Sequence, residues 1–410
     1  MFNSRRRFYY GWVIVAVCSM SMAIAYGIMY SFSVFFKPIV AEFNWDRATV
    51  SSIYSLAMVF RGVVTIPIGW LADRYGAMKI AVFCGVMMGS GLILASRVTE
   101  LWQFYVAYGI IVSIGLSGAY TIGSAVTSRW FERKRGLALG LVAAGAGFGT
   151  LALVPFAQYL ISAFNWSTAF IIIGAGAGFF TIATAFLLKP APKPMEHPKE
   201  AAATSCRVPL SDVSLRSAIL SREMLILVVT FSLINFCIQM IMIHLVNYAT
   251  DIGISSFQAA GFLGIIGVVS IVGRLFMGGV SDRIGTYNSL IVCSILLLVS
   301  LIVLFFNISP WGFYVFAVLF GFSYGGEIPQ LPMFIAQIFG IRAMAALMGV
   351  VVFIGTIGGA LGPWVGGKIF DSTQNYHYAF AIAGAASLIR LSLVIGCKKY
   401  LIPRSRGNAR

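Results

Sequence analysis

Long apolar runs, each closed by a few polar residues, follow one another along almost the whole chain. They predict helical spans over 10–36, 48–71, 78–96, 101–127, 135–162 and 168–188, then over 222–249, 257–280, 286–306, 311–336, 343–369 and 376–397. Each is near or above the roughly 20 residues that cross a hydrocarbon layer as a helix. Between the two sets the pattern stops. The stretch Lys189-Pro-Ala-Pro-Lys-Pro-Met-Glu-His-Pro-Lys-Glu200 is proline-rich and charged, which is linker chemistry. The expected organisation is a six-helix bundle over 1–188, a linker over 189–221, a second six-helix bundle over 222–400 and a tail over 401–410.

The two halves repeat. Gly69-Trp-Leu-Ala-Asp73-Arg74-Tyr-Gly76 recurs as Gly278-Gly-Val-Ser-Asp282-Arg283-Ile-Gly285, 209 residues on. Gly140 and Gly149 recur as Gly349 and Gly358 at the same offset, and Asn165-Trp-Ser-Thr-Ala-Phe170 as Asn375-Tyr-His-Tyr-Ala-Phe380 at 210. A near-constant offset in three places marks a duplicated unit. The expected fold is an all-α polytopic membrane protein, with twelve transmembrane helices in two pseudo-symmetric bundles around a central cavity.

Composition agrees. The chain is 59% hydrophobic and 10% charged. A soluble domain is nearer 45–50% and about 25%. That excludes an ordinary soluble protein, a disordered chain and a disulfide scaffold. Twenty-nine Lys and Arg against 13 Asp and Glu give a charge of +16. The basic residues gather at Arg5–Arg7, Arg74 and Lys79, Arg129 to Arg135, the segment 189–222, Arg283, Arg342 and Lys398 to Arg410. The loops Phe164–Ser167 and Asn307–Pro310 have none. The excess therefore reads as cytoplasmic loops, with both termini cytoplasmic, rather than as a nucleic-acid surface. The N-terminus enters its apolar run without a cleavage site and reads as a retained first span. The six cysteines show no CxxC spacing, so neither a disulfide nor a metal site is expected. No phosphate-binding loop of the ATP-driven type is present.

An ionisable group at mid-bilayer costs roughly 2.5–3.5 kcal/mol on insertion scales, so the few present carry information. Glu327 is the one acid placed deep in a span; Arg61 and Arg274 are the deep cations, and His244 the deep histidine. Arg274 lies eight residues before Asp282, about 12 Å into its helix. Its planar fork matches a carboxylate. From the residues alone, an anionic substrate and an ion pair with Glu327 both remain open. Glu327 stands between Gly325-Gly326 and Pro329, where unwound backbone lines a cavity. It is either a carboxyl that desolvation protonates, and so a proton carrier, or the permanent counter-ion of Arg274 or Arg61. Arg61 reads as a structural charge, with a second anion contact as the alternative. His244 is a titratable donor to substrate or a packing residue. Tyr26, Tyr30, Tyr120 and Tyr324 each offer a hydroxyl and a ring. Arg390, nearer a helix end, reads as snorkelling to the interface. Gly140, Gly145, Gly149, Gly358 and Gly362 allow close helix approach.

The loop at 69–76 and its echo at 278–285 resemble the signature of the major facilitator superfamily. Arg129-Trp-Phe-Glu-Arg-Lys-Arg-Gly-Leu-Ala-Leu-Gly140, followed by Ala143-Ala-Gly145 and Gly149, resembles the loop 4–5 signature of the monocarboxylate transporters and the oxalate/formate antiporters. Tyr10-Gly11-Trp12, Ser31-Phe-Ser-Val-Phe-Phe36 and Val272-Gly273-Arg274 fit the same branch. The resemblance implies proton-coupled symport of a small monocarboxylate, such as L-lactate or pyruvate, by alternating access across a plasma membrane, with a bacterial inner membrane suited to the short loops. It places the carboxylate on Arg274, with Tyr30, Tyr120, Tyr324, Ser270 and His244 around it, and gives the proton to Glu327 or His244. The alternative is a carboxylate antiporter of the oxalate/formate type. Asp73, Arg74, Asp282 and Arg283 become a gate, each aspartate facing the N-terminus of a helix in the other half. Three departures stand out. Tyr30 replaces a lysine of the eukaryotic monocarboxylate transporters, Ser270 an acid one turn before the arginine, and Val351 the second cation of the oxalate antiporters. A membrane enzyme should show a His/Asp/Cys cluster at one face, and none is seen. The expected partners are a small monocarboxylate and the lipid bilayer, with no cofactor beyond H⁺, no nucleic acid and no obligate protein partner.

Overall fold

The structure is a computed structural model that describes residues 9–131, 134–190, 215–306, 309–339 and 344–398. Most of the expected linker and all of the tail lie outside the described residues, as do Arg5–Arg7, Glu132, Arg133 and Arg342. The helices run in the order α1 (Gly11–Phe43), α2 (Arg47–Tyr75), α3 (Ala77–Ala95), α4 (Leu101–Trp130), α5 (Arg135–Ala163), α6 (Trp166–Ala185), α7 (Arg222–Asp251), α8 (Ser256–Ile284), α9 (Thr286–Phe306), α10 (Pro310–Glu327, resumed as Gln330–Phe339), α11 (Met344–Thr373) and α12 (His377–Gly396). A short helix, Leu215–Ile219, precedes α7. Eleven described helices are long and apolar enough to cross a membrane. The exception is α10, whose first segment ends in Gly325-Gly326-Glu327 and gives way at Ile328-Pro329.

Helices α1, α2, α4, α8 and α11 run three to seven residues past the apolar runs that predict them, and side-chain caps set where several helices start. Asp46 caps α2, its Oδ1 accepting from the Thr49 amide at 2.8 Å. Asn165 does the same for α6 at 2.7 Å, and Ser221 for α7 at 3.2 Å. Each satisfies a donor that the first helical turn leaves free. α1 continues through Pro38 to Phe43 rather than ending near 36. The α2–α3 and α8–α9 corners turn on Gly76 (φ 97°) and Gly285 (φ 84°), a left-handed conformation that favours glycine at equivalent points of the repeat.

Within the halves, the closest contacts replace side chains with backbone. A methyl group on Gly149 of α5 would lie 1.8 Å from the Ala23 carbonyl of α1, and one on Gly358 of α11 would lie 2.6 Å from Ser232 O of α7. Between the halves, α1 packs on α7, α2 on α11 and α5 on α8. The outward faces carry Phe179, Phe180, Leu225, Phe276 and Trp311, all exposed. Such a belt suits lipid as the surrounding solvent.

Candidate functional site

One end of the bundle holds the start of α1 and the finish of α12; we call it the terminal end and its opposite the distal end. Along α5 and α11 the packing tightens from one to the other. A methyl group at Gly140 or Gly349, near the terminal end, would touch nothing within 4 Å. On Gly147 it would lie 2.4 Å from Gly267 O of α8, and on Gly367 2.6 Å from Arg47 O of α2. The halves are splayed at the terminal end and closed at the distal end.

At the level where they part, a row of contacts crosses from one half to the other. Arg61 of α2 points its Nη1 at Met29 Sδ, 2.8 Å away, and its guanidinium lies 5.7 Å from the Tyr26 ring centre. The Tyr26 and Tyr30 rings of α1 are 6.1 Å apart. Tyr30 Oη hydrogen-bonds to Tyr324 Oη of α10 at 3.2 Å. The Arg274 guanidinium of α8 lies 5.6 Å from the Tyr324 ring centre. Arg274 Nη1 donates to Ala143 O of α5 at 2.5 Å, and its Nε has no protein partner. Among the described residues, neither Arg61 nor Arg274 forms an ion pair. Two guanidiniums, one from each half, thus flank three tyrosines. The arrangement supplies positive charge, hydroxyl donors and ring faces, which is what a small carboxylate needs.

Glu327 is not part of this row. It is buried, and its Oε2 accepts from Arg390 Nη2 of α12 at 2.5 Å. The counter-ion expected for it, Arg274 or Arg61, is corrected to Arg390. The snorkelling expected of Arg390 is corrected with it: α12 runs six residues further, and the side chain turns inward with no exposure at all. The structural role expected of Arg61 toward Glu327 is not realised. Ser270 is fully buried, with its hydroxyl on Gly267 O of its own helix at 2.7 Å and its backbone against Gly325. In this conformation it is a packing position. Tyr120 is 54% exposed and lies within electrostatic reach of Tyr26, on the first-half side of the row.

His244 takes part in the distal closure instead. Its ring has no exposure and hydrogen-bonds to Tyr376 Oη and Pro363 O. Asp251 of α7 takes Lys37 Nζ at 2.6 Å and Arg47 Nη1 at 2.7 Å, both from the other half. Asp371 of α11 accepts from the Arg47 and Ala48 amides at 2.9 and 2.7 Å, so α11 caps α2 across the interface. The sequence reading missed this group. Its signal was available: on a face with few charges, Lys37, Arg47, Asp251 and Asp371 all fall at span ends. The expected gate residues are exposed at the splayed end. Asp73 pairs with Arg129 of its own half at 2.6 Å, and Arg74, Asp282 and Arg283 face solvent.

Two halves of paired helices, splayed at one end around a charged central row, define a membrane transporter. The sequence profile of the Major Facilitator Superfamily matches residues 15–363 and 275–407, and the chain belongs to that superfamily. It is an integral membrane protein and not an enzyme. Among its relatives, human monocarboxylate transporter 12 is 26% identical over 426 residues, covering 97% of this chain and 82% of that protein. Rat monocarboxylate transporter 13 is 28% identical over 389 residues, covering 94% and 88%. Mouse monocarboxylate transporter 4 is 28% identical over 410 residues, covering 94% and 82%. Among solved structures, a bacterial homologue of the human lysosomal transporter Spinster, inward-facing and occupied, superposes with a TM-score of 0.75 at 13% identity, covering 98% of this chain and 99% of that one. A variant of the nucleoside transporter NupG gives 0.75 at 12% identity, covering 94% and 99%.

Proposed function

We propose that this protein carries a small monocarboxylate, such as L-lactate or pyruvate, across the plasma membrane in symport with a proton. The observation that carries the reading is Arg274, a mid-depth guanidinium with no carboxylate partner among the described residues, beside Tyr324 where the halves part. The relatives named as monocarboxylate transporters support the substrate class. The basic residues of the terminal end make it the cytoplasmic side. The splayed conformation is then the cytoplasm-open state, and residues 1–188 and 222–400 are the two bodies that rock. In the opposite state Asp73 and Asp282, with Arg74 and Arg283 beside them, close the cytoplasmic side against α11 and α5. The proton enters through Glu327 or His244, the two titratable groups at depth that lie off the Arg274 row. Protonating Glu327 has to release Arg390.

One observation favours the second reading, a carboxylate antiporter of the oxalate/formate type. Arg61 has no acidic partner among the described residues either, and two such cations suit a dianion. Uptake of radiolabelled L-lactate into liposomes holding the purified protein separates the two. Symport requires uptake that follows an inward proton gradient and collapses with an uncoupler. Uptake seen only into liposomes preloaded with a carboxylate, and indifferent to the gradient, replaces symport with exchange.

A further inference from the structure

The distal closure contains a hydrogen-bond relay whose direction is fixed by its end members. His244 Nε2 lies 2.8 Å from Pro363 O, an atom that only accepts, so Nε2 carries a hydrogen. Ser51 Oγ, 3.5 Å from the same nitrogen, gives its own proton to Arg47 O at 2.7 Å. On the other side of the ring, Nδ1 lies 3.0 Å from Tyr376 Oη. The same oxygen receives Arg47 Nη1 at 2.8 Å. A guanidinium only donates, so Tyr376 accepts from Arg47; a neutral ring with its hydrogen on Nε2 leaves Nδ1 bare, and Tyr376 donates to it. With a neutral imidazole the chain runs Arg47 to Tyr376 to His244 to Pro363, and every hydrogen in it has an acceptor.

A second proton on the ring breaks it. Nδ1–H and Arg47 then both donate to one phenol oxygen, the Tyr376 hydrogen loses its acceptor, and two cations flank a single atom in a buried place. Such a group costs free energy unless it is paired. The elements packed against the ring carry other charged or titratable groups at this end. They are Lys37 on α1, Arg47 on α2, Tyr248 and Asp251 on α7, Asp371 on α11, Tyr376 before α12 and His377 on it. The carboxylates are already engaged, Asp251 by Lys37 and Arg47, and Asp371 by the amides that open α2. Neither hydrogen-bonds to the imidazole.

We propose that His244 is a proton-binding site that governs the distal closure: the distal side seals only while His244 is neutral, and a proton taken up from that side holds it open. The relay joins α2 of one half to α7, α11 and the start of α12 of the other, so the ring's protonation state acts on the contact that must part for the protein to open outward. The inference concerns conformation and stands whatever the cargo is. The sign follows from linkage: the open state binds the extra proton, so acid favours opening. The open-to-closed ratio rises up to roughly tenfold for each pK unit that separates the two states. An unperturbed histidine titrates near 6.5.

The test uses the full chain without substrate. Spin labels go on Arg97→Cys and Ser372→Cys, exposed positions at the distal end of the two halves, with Cys206 and Cys397 replaced by serine. Their separation is measured by pulsed electron resonance at pH 8 and pH 5. The short distance should dominate at pH 8, and a longer one should grow several-fold at pH 5. His244→Asn keeps an acceptor but cannot titrate, and should stay closed at both pH values. Tyr376→Phe removes the middle of the relay and should raise the open fraction already at pH 8. Identical distributions for the wild type at both pH values overturn the proposal. So does a pH response that survives in His244→Asn, and one that disappears in Asp251→Asn alone makes the carboxylate the sensor.

Discussion

The interior of the second half is held by charge at a position where the first half has small residues around a half-open pocket. In α7–α12, Glu327 and Arg390 form a fully buried ion pair between α10 and α12, beside Cys293 of α9. The position 209 residues before Glu327 is Gly118, and the one before Cys293 is Cys84. There the first half has a half-open pocket of about 20 Å³, room for one water, lined by Cys18, Cys84, Gly118, Ile122 and Thr181 among others. The helices that carry these positions differ in the same sense. α4 is continuous, relaxed only by a π-helical stretch at Tyr105–Val112, while α10 breaks at Ile328-Pro329 directly after Glu327. A broken helix loses backbone hydrogen bonds at the break. The pair ties its upper segment to α12 just above that point. An unbroken α4 needs no such tie, and small residues suffice.

Variants in the two interiors should therefore respond differently. The largest effect is expected from Arg390→Met, which leaves Glu327 buried without its cation and should lower stability by about 3–5 kcal/mol. Thermal unfolding of the detergent-solubilised protein measures it. Adding Glu327→Leu should return most of the loss, and a single variant as stable as the wild type would remove the tie from this account. An intermediate effect is expected from Gly118→Ala. The new methyl would lie 2.6 Å from Cys84 Sγ, so despite the nearby pocket it should cost about 1–3 kcal/mol. The smallest is expected from Thr181→Val, since the Thr181 hydroxyl is buried with no protein partner. Its removal should change stability by less than about 1 kcal/mol, toward the more stable side. A clear loss would mean that the hydroxyl holds something in the pocket.

The helices and their duplication were legible in the sequence, because hydropathy reports a lipid surround directly and the 209-residue offset survives in Asp73 and Asp282. The position of Arg274 was legible too, since counting along one helix gives its depth. What could not be read was which residues on different helices meet. Arg390 lies six residues from the end of α12, a depth that fits snorkelling or burial equally, and only the rotation of α12 against α10 decides. His244 is buried within α7, but its neighbours come from α1, α2, α11 and Tyr376, none of them near in sequence. Ser270 sits one turn from Arg274 on the same helix, yet its side chain bonds back to Gly267 while the arginine reaches Ala143.

The central claim is that Arg274 holds the carboxylate, and binding tests it more directly than transport. Calorimetric titration of L-lactate into the detergent-solubilised protein should give saturable binding. Arg274→Ala should weaken it by roughly 10–100-fold, the worth of a charged hydrogen bond at about 1.5–3 kcal/mol. Arg61→Ala should weaken it less. Unchanged affinity in Arg274→Ala, in a variant that unfolds at the wild-type temperature, would contradict the account.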